Sequence, residues 1–202
     1  MSAPAPTAKE IAFKVVYYGP AGSGKSTNLV QIQNRLRTAP GATPAKLHYL
    51  KTKANPTLLL DYLPLETRLA EGARTKFSLY TVPGEPTQRA IRQLVLRGAN
   101  GVVFVADSRY EAMGRNLDSL MELDEILASA GSDSPPVPVV LQYNKRDVSE
   151  AAPKAYLDYV LNRRAHLLPS LAAAANRNEG VFETVNAISR LLLKAHASES
   201  GL

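Results

Sequence analysis

The chain has 202 residues, 45% of them hydrophobic and 21% charged, the profile of one globular domain with a sizeable core. It has no cysteine, which excludes a disulfide framework, a thiolate metal site, a cysteine nucleophile and prenyl or palmitoyl anchoring. The formal net charge is +6, but the lysines and arginines are dispersed rather than clustered, so a solvated, mildly basic surface is expected and no nucleic-acid partner.

Residues 1–9, rich in alanine and proline, read as a tail without a leader pattern, and Ser2 stands where myristoylation needs glycine. No apolar run is long enough to span a bilayer, so the expectation is a cytoplasmic protein with no direct membrane anchor. Residues 11–18 are β-branched and aromatic and read as a buried strand. Gly19-Pro20-Ala21-Gly22-Ser23-Gly24-Lys25-Ser26 follows, matching G-x-x-x-x-G-K-[ST] at every position, and a helix to about Arg37 comes next with Leu29, Ile32 and Leu36 on one face. The chemistry requires those residue types. Glycines let the backbone wrap a polyphosphate and aim N–H groups at it, at a helix N-terminus. Lys25 supplies a mobile positive charge for the terminal phosphates, and the Ser26 hydroxyl is placed to ligate Mg²⁺. Gly19, Ala21, Gly22, Ser23, Gly24, Lys25, Ser26 and Thr27 are the candidate contacts of this loop.

Beyond a breaker-rich connector at 38–44, residues 46–51 read as a short strand. An apolar stretch at 58–64 is left without a strand or helix assignment, and residues 76–82 alternate as a strand ending at Pro83-Gly84. A helix is expected over 87–97 with Ile91, Leu94 and Val95 facing inward. Residues 101–107 form an almost wholly apolar strand, as in a parallel sheet covered on both faces. The longest helix, 109–130, buries Leu117, Leu120, Leu123, Ile126 and Leu127 and stops at Gly131 to Pro136. A buried strand over 138–143 runs into Asn144-Lys145-Arg146-Asp147; a helix around 151–163, a strand near 170–174 and a helix over about 180–194 complete the chain. Alternating strands and helices imply a doubly wound α/β sheet whose ligand sits at the carboxyl ends of the strands. The expected organisation is a tail over 1–9, a single domain over 10–197 and a tail over 198–202.

Asn144 to Asp147 decides the base. The tetrapeptide matches N-K-x-D, and the Asp147 carboxylate can accept two bonds from the N1–H and exocyclic N2–H of guanine, a pattern adenine does not offer. The Lys145 stem can lie over the ring, and Asn144 can tie this loop to the phosphate loop. The three histidines, His48, His166 and His196, lack ligand spacing.

These motifs, together with residues 15–20, 57–64, 79–84, 101–108 and 142–147, make the chain similar to the MglA-type bacterial small GTPases of the Ras superfamily. Thr81-Val82-Pro83-Gly84 is the most telling segment, because most Ras relatives carry Asp where this chain has Thr81. The resemblance implies a Ras-like G domain of the P-loop NTPase class, with a mostly parallel six-stranded sheet, one antiparallel edge strand and helices on both faces. It implies GTP/GDP and Mg²⁺, switch segments at roughly 52–64 and 81–97, a Roadblock-fold (MglB-like) activating protein, and effectors in cell polarity or motility. Carried over by position, Thr57 is the threonine that senses the γ-phosphate through Mg²⁺, Gly84 offers its N–H to the γ-phosphate, and Ala174 and Ala175 lie near the guanine carbonyl.

Two departures bear on hydrolysis. Glu85 stands where the family has the glutamine that orients water, and Pro56 stands where it has an arginine finger before the threonine. Such a finger is worth roughly 10³–10⁵ in rate. Slow hydrolysis is therefore expected, with Lys25, Thr57 and Glu85 as the catalytic candidates; Arg68, Arg74 or Arg89, in or near the switch segments, could stand in for the finger, as could an arginine from a partner. The alternatives are a constitutively GTP-bound scaffold that only binds effectors and an ATP-dependent P-loop kinase. The guanine signature and the lack of a lid-like basic insertion weigh against the kinase.

Overall fold

The computed structural model describes residues 10–40, 42–52, 55–68, 74–129, 136–164 and 166–199; for residues 50–52, 55–59, 68 and 199 it describes the backbone path alone. The expected tail at 1–9, residues 200–202 of the second tail and most of the 131–136 helix stop lie outside the described residues. The strands are β1 (Glu10–Tyr18), β2 (His48–Thr52), β3 (Asn55–Arg68), β4 (Arg74–Thr81), β5 (Gly101–Asp107), β6 (Val139–Asn144) and β7 (Ser170–Ala172). The helices are α1 (Lys25–Thr38), α2 (Arg89–Leu96), α3 (Met113–Ala128), α4 (Lys154–Leu161) and α5 (Val181–Glu199). The last runs five residues past Lys194, where the sequence pattern ends it.

Among the described residues seven strands form one sheet in the order β2-β3-β4-β1-β5-β6-β7. The class is the expected α/β one, but the count is seven rather than six. The unassigned apolar stretch is the interior of β3, which is antiparallel to both β2 and β4, so the antiparallel strand is not at the edge. Pro64 explains why the strand is hard to read: a proline argues against a central strand. Here β2 pairs with β3 only as far as Tyr62, so Pro64 lies where β3 has become an edge and its missing N–H faces no partner strand.

Alternation along the strands builds two cores. Val16 and Tyr18 of β1 with Val102, Phe104 and Ala106 of β5 pack under α2, α3 and α4. Phe13, Val15 and Tyr17 with Val103 and Val105 pack under α1 and α5, where Leu29, Ile32, Ile188 and Leu192 meet them. Full burial of side chains of this size contributes about 1.5–3 kcal/mol each. Within α2 the expected inward face is wrong at one position. Leu94 is 59% exposed, and the inward residues are Arg92, Val95 and Leu96. The helix begins only at Arg89, after a tight turn at Pro86–Gln88, and its phase brings a guanidinium inward where the apolar pattern suggested leucine.

The arrangement sets three segments at the carboxyl ends of neighbouring parallel strands: residues 19–24 after β1, 82–85 after β4 and 145–148 after β6. This is where open α/β sheets collect ligands.

Candidate functional site

The loop between β1 and α1 is held open by glycine. Gly24 has φ +100°, and a Cβ there would lie 2.1 Å from Asn144 Nδ2. α1 starts at Lys25 with no capping side chain and no acid in its first turn, so no side chain of the helix competes for its leading amides. Ser23 Oγ is buried without a hydrogen-bond partner among the described residues. Lys25 is 7% exposed, and its ammonium donates to the carbonyls of Gly19 and Pro20, both at 2.8 Å. Burial, then the Arg92 guanidinium, lowers its pKa to about 8, opposed by Glu85 and Asp61. Ser26 follows it and is exposed, Ala21 is partly exposed, and Thr27 is partly buried.

Asn144 joins this loop to the segment that follows β6. Its Nδ2 donates to Ser23 O at 2.7 Å, and its Oδ1 accepts from the Ala175 N–H at 2.9 Å. Lys145 has φ +65°, and its ammonium donates to Asp107 Oδ2 at 2.8 Å. Burial would raise the Asp107 carboxyl, but the hydrogen bonds from Arg109 and Lys145 outweigh it and hold it below the usual carboxylate range. Asp147 accepts from Asn176 Nδ2 at 2.7 Å, which lowers its pKa, and Arg177 lies 3.9 Å away. Between the two loops is a cavity of about 170 Å³, walled by Gly22, Gly24 and Thr27 on one side and by Asn144, Lys145 and Asp147 on the other. Ala175 also lines it; Ala174 does not, and its N–H donates to Glu179 O at 3.0 Å.

The third segment closes against the phosphate loop. A Cβ on Gly84 would lie 2.1 Å from the Ala21 nitrogen, so only glycine permits this approach. Glu85 is exposed, and its backbone carbonyl accepts from Arg92. The Arg92 guanidinium, 3% exposed, also donates to Pro83 O and Pro86 O at 3.2 Å each and to Glu122 at 2.8 Å. Thr57 and Pro56 fall within β3 as backbone, and their side chains are outside the described residues. Two of the suggested stand-in arginines are out of reach. Arg74 begins β4, seven residues from Thr81 or roughly 23 Å at strand rise, and its cross-strand partner Arg68 ends β3 beside it. Arg89 turns outward to Glu125 at 2.9 Å.

Glycine-built closeness, a buried ammonium on loop carbonyls and an unpartnered buried hydroxyl at a helix start suit a polyphosphate; an exposed Ser26 beside them suits its Mg²⁺. Asp61, Arg92, Asp107 and Asn176 were not singled out from the sequence. Each acts through a contact with a distant residue that no local pattern encodes.

Fold and site define a phosphate-loop nucleotide-binding domain. No family model matches the chain. It is 43% identical over 187 residues, covering 93% of both chains, to the mutual gliding-motility protein MglA of Myxococcus xanthus (strain DK1622). The chain belongs to the MglA-type family of Ras-like small GTPases, P-loop proteins that bind guanine nucleotides. Among the described residues no helix is long and apolar enough to cross a membrane.

Proposed function

We propose that this protein is a cytoplasmic GTP-binding switch that hydrolyses GTP slowly and acts in cell polarity or motility. The observation that carries this reading is Asn144, which bridges Ser23 O and the Ala175 N–H and so couples the phosphate loop to the base-reading loop across one cavity. Gly22 to Thr27 present amides to the phosphates, Lys25 leaves the Gly19 and Pro20 carbonyls for the terminal phosphates, and Asp147 accepts from the guanine edge with Lys145 over the ring. Ser26 and Thr57 would hold Mg²⁺, which neutralises charge developing on the β- and γ-oxygens. Gly84 would report the γ-phosphate to the segment that Arg92 grips.

Hydrolysis is the weak step of the cycle. Glu85 brings a carboxylate toward developing negative charge, where a neutral amide would orient water without repulsion. Pro56 has no charge to give, and Arg92 is committed to three carbonyls and Glu122. An activating partner, which the family resemblance suggests to be Roadblock-fold and MglB-like, would have to complete the site. The same features favour a second reading, a GTP-bound scaffold that does not hydrolyse. Single-turnover hydrolysis of GTP by the purified chain, with and without Glu85→Gln, separates the two. Slow turnover that Glu85→Gln accelerates supports the switch. GTP left intact by both forms supports the scaffold, and fast turnover unaffected by the substitution refutes the assignment of Glu85.

A further inference from the structure

The Asp147 carboxylate has a side-chain partner of its own. Asn176 Nδ2 donates to Asp147 Oδ2 at 2.7 Å, the short separation typical of a charged acceptor. The turn that presents Asn176 is anchored at both ends. β7 pairs with β6 up to Ala172 and Tyr143, so the segments after the two strands leave the sheet side by side. Ala175–Arg177 then makes one tight turn. It is entered at Ala175, whose N–H donates to Asn144 Oδ1 at 2.9 Å. It is closed by Asn178 in the left-handed region at φ +59°, whose N–H donates to Ala175 O at 3.1 Å. Asn176 lies between those anchors and lines the cavity together with Asp147.

The two segments do not need this bond to stay together. The Asn144 side chain already ties β6 to the turn, and the Arg146 N–H donates to Ala173 O at 2.9 Å. What the Asn176 amide adds is a hold on the carboxylate itself. An aspartate side chain turns about two single bonds, and meeting a base with both oxygens requires both to be set. Setting them before the base arrives removes part of the ordering cost of binding. An ionised carboxylate offers about four lone-pair sites, so Asn176 takes one and leaves room for two N–H donors of a base. The same bond is the main influence that holds the Asp147 carboxyl below its usual range, and so keeps it ionised. We propose that Asn176 is a positioning residue for base recognition, fixing the Asp147 carboxylate so that both oxygens meet the guanine edge and sharpening the choice of guanine over bases with fewer N–H donors. The proposal rests on the assignment of Asp147 to the guanine edge.

The test is the affinity of the full chain for GDP and for inosine diphosphate, measured by calorimetry in Mg²⁺. Inosine keeps the N1–H and lacks the exocyclic amine, so the ratio of the two affinities reads the second bond to the carboxylate. Asn176 is exposed, so its substitution leaves no buried void. In Asn176→Ala the GDP affinity should fall by ~10-fold, the loss of one charged hydrogen bond, and the inosine diphosphate affinity by ~3-fold or less, so the ratio narrows. Asn176→Asp keeps the size of the side chain, offers no N–H and sets a second negative charge beside Asp147. It should lose at least as much GDP affinity as Asn176→Ala. Equal losses for the two nucleotides in Asn176→Ala would mark a merely structural turn and overturn the proposal. GDP affinity that is unchanged or tighter in Asn176→Ala overturns it as well, and so does wild-type affinity in Asn176→Asp. A wild type that binds the two nucleotides alike removes the assignment of Asp147 itself, and the proposal falls with it.

Discussion

Asn28 and Gln142, 114 residues apart in the chain, meet as a reciprocal amide pair. Asn28 Nδ2 donates to Gln142 Oε1 and Gln142 Nε2 donates to Asn28 Oδ1, both at 2.9 Å and both side chains fully buried. Asn28 also donates to Gly24 O, and Gln142 to Thr184 Oγ1, each at 2.9 Å. The pair thus fastens the phosphate loop and the starts of α1 and α5 to strand β6. Asn28→Leu strands the Gln142 amide in the core, where each unpaired group costs about 1–3 kcal/mol. Asn28→Leu should lower stability by that order in urea unfolding, and Asn28→Leu/Gln142→Leu should recover part of the loss. Equal or additive losses would show that the amides do not act as a pair.

If Lys25 meets the terminal phosphates as proposed, nucleotide binding is a proton-linked event. Its pKa is lowered to about 8 in the free protein, and an anionic triphosphate favours the ammonium and raises it again. Binding at about pH 8.5 should therefore take up roughly three-quarters of a proton, against about a tenth at pH 7. Affinity should weaken as pH rises through 8. For the free protein, the unfolded chain binds the Lys25 proton more tightly than the folded one, so this group makes stability rise with pH between about 8 and 10.5. Calorimetric titrations in buffers of different ionisation enthalpy read the uptake directly, and no uptake near pH 8.5 would contradict the lowered pKa.

Arg92 holds the segment that follows Gly84. Its fork spans three carbonyls and Glu122, which in turn accepts from Tyr18 Oη at 3.0 Å. A lysine ammonium cannot reproduce that planar geometry. Arg92→Lys should speed hydrogen exchange at Gln88, whose N–H donates to Glu85 O, by about tenfold, the equivalent of losing one charged hydrogen bond. Exchange within β5 should stay unchanged. Equal acceleration in both places would mean global destabilisation rather than a loosened loop.

The glycine loop between β1 and α1 and the Asn-Lys-Arg-Asp turn after β6 are readable in the sequence because each is a local pattern set beside an apolar strand. The fully apolar β5 and β6 were readable for the same reason. β3 was not, because Pro64 argues against a central strand unless the extent of β2 is known. The inward turn of Arg92 needed the true start of α2, and the meeting of Asp61 with Thr81 needed the β3–β4 register. The partners of Asp107, Lys145 and Arg109, follow the strand ends and can be guessed only when β5 is known to lie beside β6.

The central claim is that Asp147 reads guanine beside a loop that holds phosphates. Its most direct measurement is competition against a fluorescent GDP analogue by GTP, ATP and xanthosine triphosphate, on the wild type and on Asp147→Asn. In the wild type GTP should displace the analogue and ATP should trail it by ~10⁴-fold or more, because adenine leaves the Asp147 acceptor unpaired. In Asp147→Asn the preference should pass to xanthosine triphosphate, whose C2 carbonyl accepts the N–H that asparagine now offers. ATP competing as well as GTP with the wild type, or an Asp147→Asn preference still for guanine, would contradict it.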